Sequence, residues 1–293
     1  MKKAVISIAI KIVVIIGLSV NFLGCSNSTG PRDRETSVIR LVAADRVVIL
    51  EMRGSGELNF NWGDGTVIQT KLFSGDCFRS FQHIYLSGTR RRITINGDIT
   101  AFYITYVTMT SFDIRNMSSL RDLVCHGNSL ESLDVRSNAL LERLFCGRNQ
   151  LTYLNVSNNH LLYILHCEGN LIENLDLSNN VLLENLRISD NRFQSIDVSN
   201  NPLLRRICVQ GNQFNRDALN NLFDTLPDWS GTNSRGFIEI ANNPGTDECD
   251  VSIAEAKGWT VITTNAPYEQ HLMRSITEIE NKLLWRKHEE SFN

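Results

Sequence analysis

One spacing dominates the middle of this chain: apolar residues and asparagines recur there every 21 residues. The recurring residues form four series: Leu120, Leu141, Leu162, Leu183 and Leu204; Leu123, Leu144, Leu165, Leu186 and Ile207; Cys125, Cys146 and Cys167; and Asn128, Asn149, Asn170, Asn191 and Asn212. A fixed period of this length predicts one supersecondary unit wound repeatedly into a solenoid. Because the apolar series fill the interior of a solenoid, we expect any recognition site on its outer surface.

Each coil has the pattern LxxLxCxxNx followed by LxxLDVSxNxx. The LxC and LDV segments place apolar residues on both sides of a variable one, which predicts short strands with inward flanks and an outward middle residue. We expect the asparagine series to form a ladder, because asparagine tolerates turns and its amide can bond to buried main-chain groups. The cysteine position holds Ile188 and Val209 in other coils, which indicates a buried apolar site and free thiols.

This pattern resembles the leucine-rich-repeat domains of envelope lipoproteins from Gram-negative anaerobic bacteria. The resemblance runs from about Ile99 to Val261, and it implies a solenoid over residues 99–213 closed by an α/β cap over residues 214–265. Turn, proline and glycine signals in the cap predict four elements: a helix at 218–227, a strand at 237–240, a helix at 252–257 and a strand at 259–262.

The segment before the repeats, residues 38–98, alternates apolar and polar residues between Gly and Ser turns, which predicts antiparallel strands. Its Asn61–Thr66 sequence, NWGDGT, followed by His83 and Tyr85, resembles the signature of polycystic-kidney-disease-type (PKD) β-sandwiches. The resemblance implies a tight turn at Asp64-Gly65 and a core position for Trp62. A metal or catalytic pair of Asp64 and His83 is the alternative, but turn chemistry and packing account for both residues. The predicted fold class is therefore mainly β, with a small antiparallel β-sandwich, a solenoid of 21-residue coils and an α/β cap.

The chain begins with Met1-Lys2-Lys3 and an apolar run, which predicts a secretory signal peptide over residues 1–24. Gly24-Cys25 resembles the lipobox of bacterial lipoproteins, with Phe22 where that family usually has leucine. The resemblance implies lipidation of Cys25, a polar tether over residues 25–37, and a lipid-anchored location at the outer membrane, its face left open. An uncleaved transmembrane anchor is the alternative.

Residues 266–293 follow the predicted cap and lie outside the resemblance. Leu272, Ile276, Ile279 and Leu283 recur there at four-three-four spacing, which predicts an amphipathic helical tail. The apolar stripe could dock on this protein or pair with a partner.

Charge and motif content argue against several functions. The net charge is -3 and both signs are mixed along the chain, which gives no electrostatic reason to expect nucleic acid. No zinc-ligand spacing, GxSxG, HExxH or P-loop occurs in the sequence. We therefore expect no enzyme activity, no cofactor and no metal.

Stacked strands should align their outward side chains into a column that includes Val124, Phe145, His166 and Arg187, with Tyr163 beside it. Because these positions vary while the inward ones are constant, they form the candidate binding surface for a protein or glycan, with adhesion as one role. Merely solvated side chains are the alternative reading of that column. A second column, Asp113, Asp134, Asn155, Asp176 and Asp197, is expected to make local backbone bonds, with cation binding the less favoured account. The other functional hypothesis is a structural component of an envelope complex held through the C-terminal helix.

Overall fold

The computed structural model describes residues 38–72, 77–86, 90–232 and 234–264. The predicted signal peptide, the lipidation site Cys25, the tether and the helical tail lie outside these residues. Within the described part of the chain, no helix has the length and apolarity needed to cross a membrane.

The described residues are mainly β, as predicted. The strands are β1 (Val38–Ala43), β2 (Val47–Asn61), β3 (Val67–Leu72), β4 (Arg79–Ile84), β5 (Arg91–Tyr103), β6 (Ser111–Asp113), β7 (Asp122–Val124), β8 (Arg143–Phe145), β9 (Ile164–His166), β10 (Asn185–Arg187), β11 (Arg206–Cys208), β12 (Gly236–Glu239) and β13 (Trp259–Ile262). The helices are α1 (Arg216–Thr225) and α2 (Ser252–Ala256).

A parallel sheet runs through the repeats, in which β7 to β13 lie side by side in chain order. Consecutive strands from β7 to β11 pair in register at a spacing of one coil, so that Leu144 lies between Leu123 and Leu165. This is the solenoid of 21-residue coils that the repeat predicts.

The solenoid interior is filled by the recurring apolar residues. Both leucine series and the three cysteines of the coils are fully buried. Ile188 and Val209 continue the cysteine position and are equally buried. Each coil therefore contributes the same inward set, and neighbouring coils complete one continuous apolar interior.

Strand β5 joins the N-terminal strands to the solenoid. Its first half pairs antiparallel with β1, and Ala101–Tyr103 pairs in parallel with β7. Strand β2 is also antiparallel to β5 and pairs with β3 and β4. The predicted boundary between residues 98 and 99 thus falls inside one strand, and the hydrogen-bonded sheet is continuous across it.

The turn predicted at Asp64-Gly65 joins β2 to β3. The Trp62 amide donates to the Thr66 carbonyl at 3.1 Å, and Gly63 and Gly65 both have positive φ, which explains glycine at these two positions. Trp62 is fully buried, and its carbonyl accepts a 2.7 Å hydrogen bond from the Tyr85 hydroxyl.

The cap follows the four elements predicted for it, with ends that differ by one or two residues. Helix α1 begins after Asn215, whose side chain accepts from the Ala218 amide, and it ends before Pro227. Ile238 of β12 pairs beside Ile207, so the cap keeps the register of the coils although it contains a helix.

One expectation needs correction. The LDV segments from Leu133 onward are not strands. Asp134 accepts from the amide two residues later, as Asp113 does, but the Asp113 segment is strand β6 because it pairs with β1. Cys125, Cys146, Cys167, Cys208 and Cys249 are free thiols, which confirms the expectation for the cysteine position of the coils.

Candidate functional site

The outward side chains of the parallel strands form two columns on one side of the sheet, which we call the strand face. The first column is Ala101, Asp122, Arg143, Ile164, Asn185, Arg206 and Phe237, and the second is Tyr103, Val124, Phe145, His166, Arg187, Cys208 and Glu239. Between them lies the inward apolar residue of each strand. Both columns follow from the strand period of two.

The structure brings the predicted binding residues together on this face. Val124, Phe145, His166 and Arg187 are consecutive members of the second column, and Tyr163 directly precedes β9. The rings of Phe145 and His166 meet edge to face with 4.7 Å between their centroids. His166 also hydrogen-bonds through Nε2 to the Asn185 side chain at 3.2 Å.

These residues expose much less surface than anchors of a free binding site would. Phe145, His166 and Arg187 are only 8%, 5% and 8% exposed, and Cys208 is 2% exposed. Val124 and Glu239 are flanked by strands on both sides in the same way, yet they are only half-buried. The middle of the column is therefore more deeply buried than its two ends.

Burial sets the charge state of the face. It holds the pKa of His166 well below its ordinary value, with Arg187 nearby acting in the same direction. It also raises the pKa of the Cys208 thiol to about 12. At neutral pH both side chains are uncharged, and the guanidinium group of Arg187 lies between them in the column.

A half-buried pair lies beside the second column. His126 Nδ1 is 3.5 Å from Glu168 Oε1, although one coil separates them, because Gly147 between them has no side chain. Burial lowers the pKa of His126 to about 4 and raises that of Glu168. The atoms His126 Nε2 and Glu168 Oε2 are buried without a hydrogen-bond partner, as is Gln210 Oε1 two coils further on.

An ion network fixes the start of the first column. Asp122, 2% exposed, accepts from the Arg143 guanidinium through both carboxylate oxygens and from Arg53 Nη2 at 3.0 Å. Because Arg53 lies on β2, the network ties the N-terminal strands to the first coils. The sequence does not reveal this network, since its three residues are far apart along the chain and meet only after folding.

The five predicted asparagines form hydrogen bonds between consecutive coils. Asn170, for example, donates to the Cys146 and Cys167 carbonyls at 3.2 and 2.9 Å and accepts from the Leu151 amide at 3.0 Å. Asn243 of the cap extends the series by bonding to the Val209 and Ile240 carbonyls.

A second asparagine series was not predicted: Asn138, Asn159, Asn180 and Asn201. These residues are fully buried, and each amide nitrogen donates to two main-chain carbonyls, as Asn159 does to Val135 and Asn138. Their Oδ1 atoms have no hydrogen-bond partner. The paired asparagines at the end of several coils were the signal, because only one of the two can face outward.

A row of exposed leucines was also missed. Leu140, Leu161, Leu182 and Leu203 occupy the same place in four consecutive coils, three residues before each strand, and each is 37–40% exposed. Backbone bonds such as Tyr163 N–H to the Glu142 carbonyl keep the coils aligned just after this row. We call these four residues the leucine ridge. Its signal was the doubled leucine of each coil, since the second leucine alone fills the interior.

The aspartate column makes the local bonds expected of it. Asp113, Asp134, Asn155, Asp176 and Asp197 each accept from the amide two residues later. This column borders a shallow depression of about 440 Å³ that Tyr153 and Ser195 also line. Among the described residues, no three His, Cys, Asp or Glu side chains are placed to hold a metal ion.

No protein-family model matches the chain, and no curated protein matches it. Three solved structures from Listeria monocytogenes are similar to it. The functional domain of InlJ, which includes a cysteine ladder, is 27% identical over 52% of this chain, with a TM-score of 0.43. Internalin C2 is 16% identical over 57% of this chain and 81% of its own, with a TM-score of 0.41. Internalin InlF is 17% identical over 57% of this chain and 62% of its own, with a TM-score of 0.37.

This chain covers 31% of the InlJ structure, the first of the three. All three TM-scores are below 0.5. The leucine-rich-repeat fold of this chain is evident from its own in-register strands, leucine interior and asparagine ladders.

Proposed function

We propose that this protein recognises a protein partner non-covalently through the leucine ridge and the adjoining strand face. The observation that carries this proposal is the ridge, four leucines in register that stay exposed at the edge of the sheet. At an interstrand spacing of about 4.8 Å, the ridge is roughly 14 Å long. A contiguous apolar row on a solenoid surface is a feature of interaction sites, whereas scattered exposed leucines are not.

The surroundings of the ridge suit a protein ligand. Tyr163 lies two residues after Leu161 and can supply an aromatic contact at the border between the ridge and the strand face. At the other end, the Arg205 guanidinium stacks 4.9 Å above the Trp229 ring of the cap. An apolar centre with aromatic and charged borders favours a protein surface over a glycan.

The proposal is tested by a screen followed by variants of the ridge. The purified protein is first screened against arrayed proteins and glycans. The affinity of each ligand is then compared between the unmodified chain and the double variant Leu161→Asp, Leu182→Asp. We expect binding to weaken at least tenfold, about 1.4 kcal/mol, because two anchors in the centre of the ridge become charged.

The matched control is Thr152→Asp with Gln194→Asp, two exposed positions that lie outside the ridge and the strand face. These substitutions add the same charge, and we expect less than a twofold change. Equal affinity of both double variants for a protein ligand would exclude the ridge as the binding surface. Selective capture of glycans that is insensitive to the ridge would exclude the proposed ligand class.

The proposed setting is the cell envelope, with the chain anchored by lipid on Cys25 and the N-terminal strands serving as a PKD-like spacer. Support comes from the signal-peptide pattern, the Gly24-Cys25 sequence and the buried Trp62 at its turn. Labelled palmitate should be incorporated by the unmodified protein and not by Cys25→Ser. Incorporation by both would exclude lipidation at this residue.

A further inference from the structure

The aspartate column changes along its length in what its carboxylates contact. At its start, Arg115 donates to Asp113 through Nε and Nη2, both at 3.0 Å. One coil later, Arg136 donates to Asp134 through the same two nitrogens, both at 2.9 Å. Each pair is the planar two-point contact that a guanidinium group makes with a carboxylate. The column therefore shows twice which cationic group its carboxylates fit.

Asp176 and Asp197 continue the column without an arginine. Ser178 and Ser199 follow them by two residues and donate only their amides, at 2.9 and 2.8 Å. Both aspartates are exposed, and within the described part of the chain neither forms an ion pair. Their carboxylates are therefore accessible to a guanidinium group from another molecule.

Both carboxylates line the shallow depression of about 440 Å³ beside the column. Tyr153, which is 65% exposed, lines it one coil before Asp176. Among the described residues, those that line the depression include no lysine, arginine or histidine. A concave surface with two carboxylates and an open aromatic ring favours a cation that can both pair and stack, and a guanidinium group does both.

We propose that this depression is a second binding site, which takes an arginine-containing extended peptide segment of a partner protein. Two guanidinium groups of that segment bind Asp176 and Asp197 as the chain's own arginines bind the earlier aspartates, and a third stacks on Tyr153. The leucine ridge shares no residue with this site. The second site therefore goes beyond the proposed function and does not depend on it.

The spacing along the solenoid fits side chains of one peptide segment. Stacked coils place Asp176 and Asp197 about 5 Å apart, and alternate residues of an extended peptide are about 7 Å apart. The long arginine side chain accommodates this difference. Because an ammonium group has no planar pair of donors, we expect lysine-rich segments and polyamines to bind more weakly.

The probe that tests this site is the fluorescein-labelled peptide Gly-Arg-Gly-Arg-Gly-Arg-Gly, whose affinity for the protein is measured by fluorescence anisotropy. Salt is kept at about 150 mM so that long-range attraction is screened. The double variant Asp176→Asn, Asp197→Asn should weaken binding about tenfold, because it removes both charged contacts. Asparagine fits this place in the column, since Asn155 accepts the same local bond from the Ser157 amide at 2.9 Å. No binding to the unmodified protein, or an unchanged affinity in the variant, would overturn the proposal.

The matched control is the double variant Asp113→Asn, Asp134→Asn. It changes the net charge by the same amount in the same column, but its carboxylates already hold Arg115 and Arg136. We expect the peptide affinity to change by less than about twofold. Equal weakening by both double variants would mean a general charge effect and no site. A lysine version of the peptide that binds equally tightly would exclude guanidinium recognition.

A converse variant gives the later coils the arginines of the earlier ones. Ser178→Arg with Ser199→Arg places a guanidinium group two residues after each aspartate, as Arg136 follows Asp134. Peptide binding should fall about tenfold although both carboxylates remain, because the chain itself then pairs with them. Full peptide affinity in this variant would contradict the proposal. This measurement also decides if the asparagine variant fails to fold.

None of these measurements uses a ligand of the leucine ridge. A failure of the arginine site can therefore be told apart from a failure of the proposed recognition function.

Discussion

The N-terminal strands and the solenoid share one sheet, but they satisfy their main chain in different ways. Strands β2 and β5 are 15 and 13 residues long, and their backbone groups pair mostly with one another. Strands β7 to β11 have three residues each, so most of a coil lies outside the strand ladder. Within the described residues 38–103, no polar or charged residue is buried, whereas the solenoid and its cap bury nine asparagines.

This difference indicates that a chain needs more buried side-chain amides where it turns more often. Where the backbone bends after three residues, its next N–H and C=O groups have no facing strand, and an unpaired buried group is costly. Asparagine side chains supply the missing partners. Long strands have no such requirement, and their core can be built from large aromatics such as Trp62 and Phe60, which stack with 5.3 Å between ring centroids.

The largest expected effect concerns the connection between the two regions. Asp122→Ala should lower the free energy of unfolding by about 3–5 kcal/mol, because it leaves Arg53 and Arg143 without their shared buried carboxylate. Urea unfolding followed by circular dichroism measures the loss. The control Asp134→Ala removes an exposed partner of Arg136 and should cost within about 1 kcal/mol. Similar losses for both would mean that the network does not hold the regions together.

The next effect tests the asparagine ladder itself. Asn170→Leu should cost about 1–3 kcal/mol, since it orphans the buried Leu151 amide and removes one of the two asparagine donors from each of the Cys146 and Cys167 carbonyls. Asn155→Ser, at a half-buried turn, should stay within about 0.5 kcal/mol. Equal urea midpoints for the two variants would contradict the view that the solenoid depends on buried asparagine amides whereas the N-terminal region depends on strand pairing.

A smaller effect is expected at the cysteine position of the coils. Cys167→Val should change stability by less than about 1 kcal/mol, because Ile188 and Val209 fill the same place in other coils. Cys167→Ser, of similar size but polar, should cost more because its hydroxyl is buried in an apolar interior. If the valine and serine variants are equally stable, a buried hydroxyl is tolerated at position 167 and the site does not require an apolar side chain.

The smallest effect belongs to the exposed turn of the N-terminal region. His83 and the Thr66 amide hold the pKa of Asp64 down at about 2, so its ionised form stabilises the fold above pH 4 and this contribution is lost as the pH falls towards 2. Asp64→Asn should therefore be less stable than the unmodified protein at pH 6, and the difference should vanish near pH 2. Thermal unfolding at both pH values measures it. A difference that persists at pH 2 would show that the charge is not responsible.

The repeat made much of the fold predictable. Inward leucines, the cysteine position, the asparagine ladder and the cap elements are local or periodic features, and each coil repeats the same constraint. The lengths of the N-terminal strands and the continuity of β5 into the solenoid were not predictable, because pairing partners far apart in sequence decide them. The LDV segments were wrongly predicted to be strands. Asp134 and Asp113 make the same local bond, and the Asp113 segment is a strand because it pairs with β1, a partner distant in sequence.

The sequence predicted which residues of the candidate site lie side by side, but not how exposed they are. Strand alternation correctly placed Phe145, His166 and Arg187 beside one another. Alternation specifies the direction of a side chain and not its exposure, so their low exposure was not foreseen. The leucine ridge could have been found, because one of two consecutive leucines must leave the interior.

The sequence by itself determined the solenoid. A strict 21-residue period allows only one way to bury its leucines and to pair the main-chain groups at its turns. Only the tertiary structure decided which outward residues are buried, which charged side chains form ion pairs and which leucines remain exposed. Periodicity specifies the direction of each side chain, whereas burial and charge pairing depend on segments brought together from distant parts of the chain.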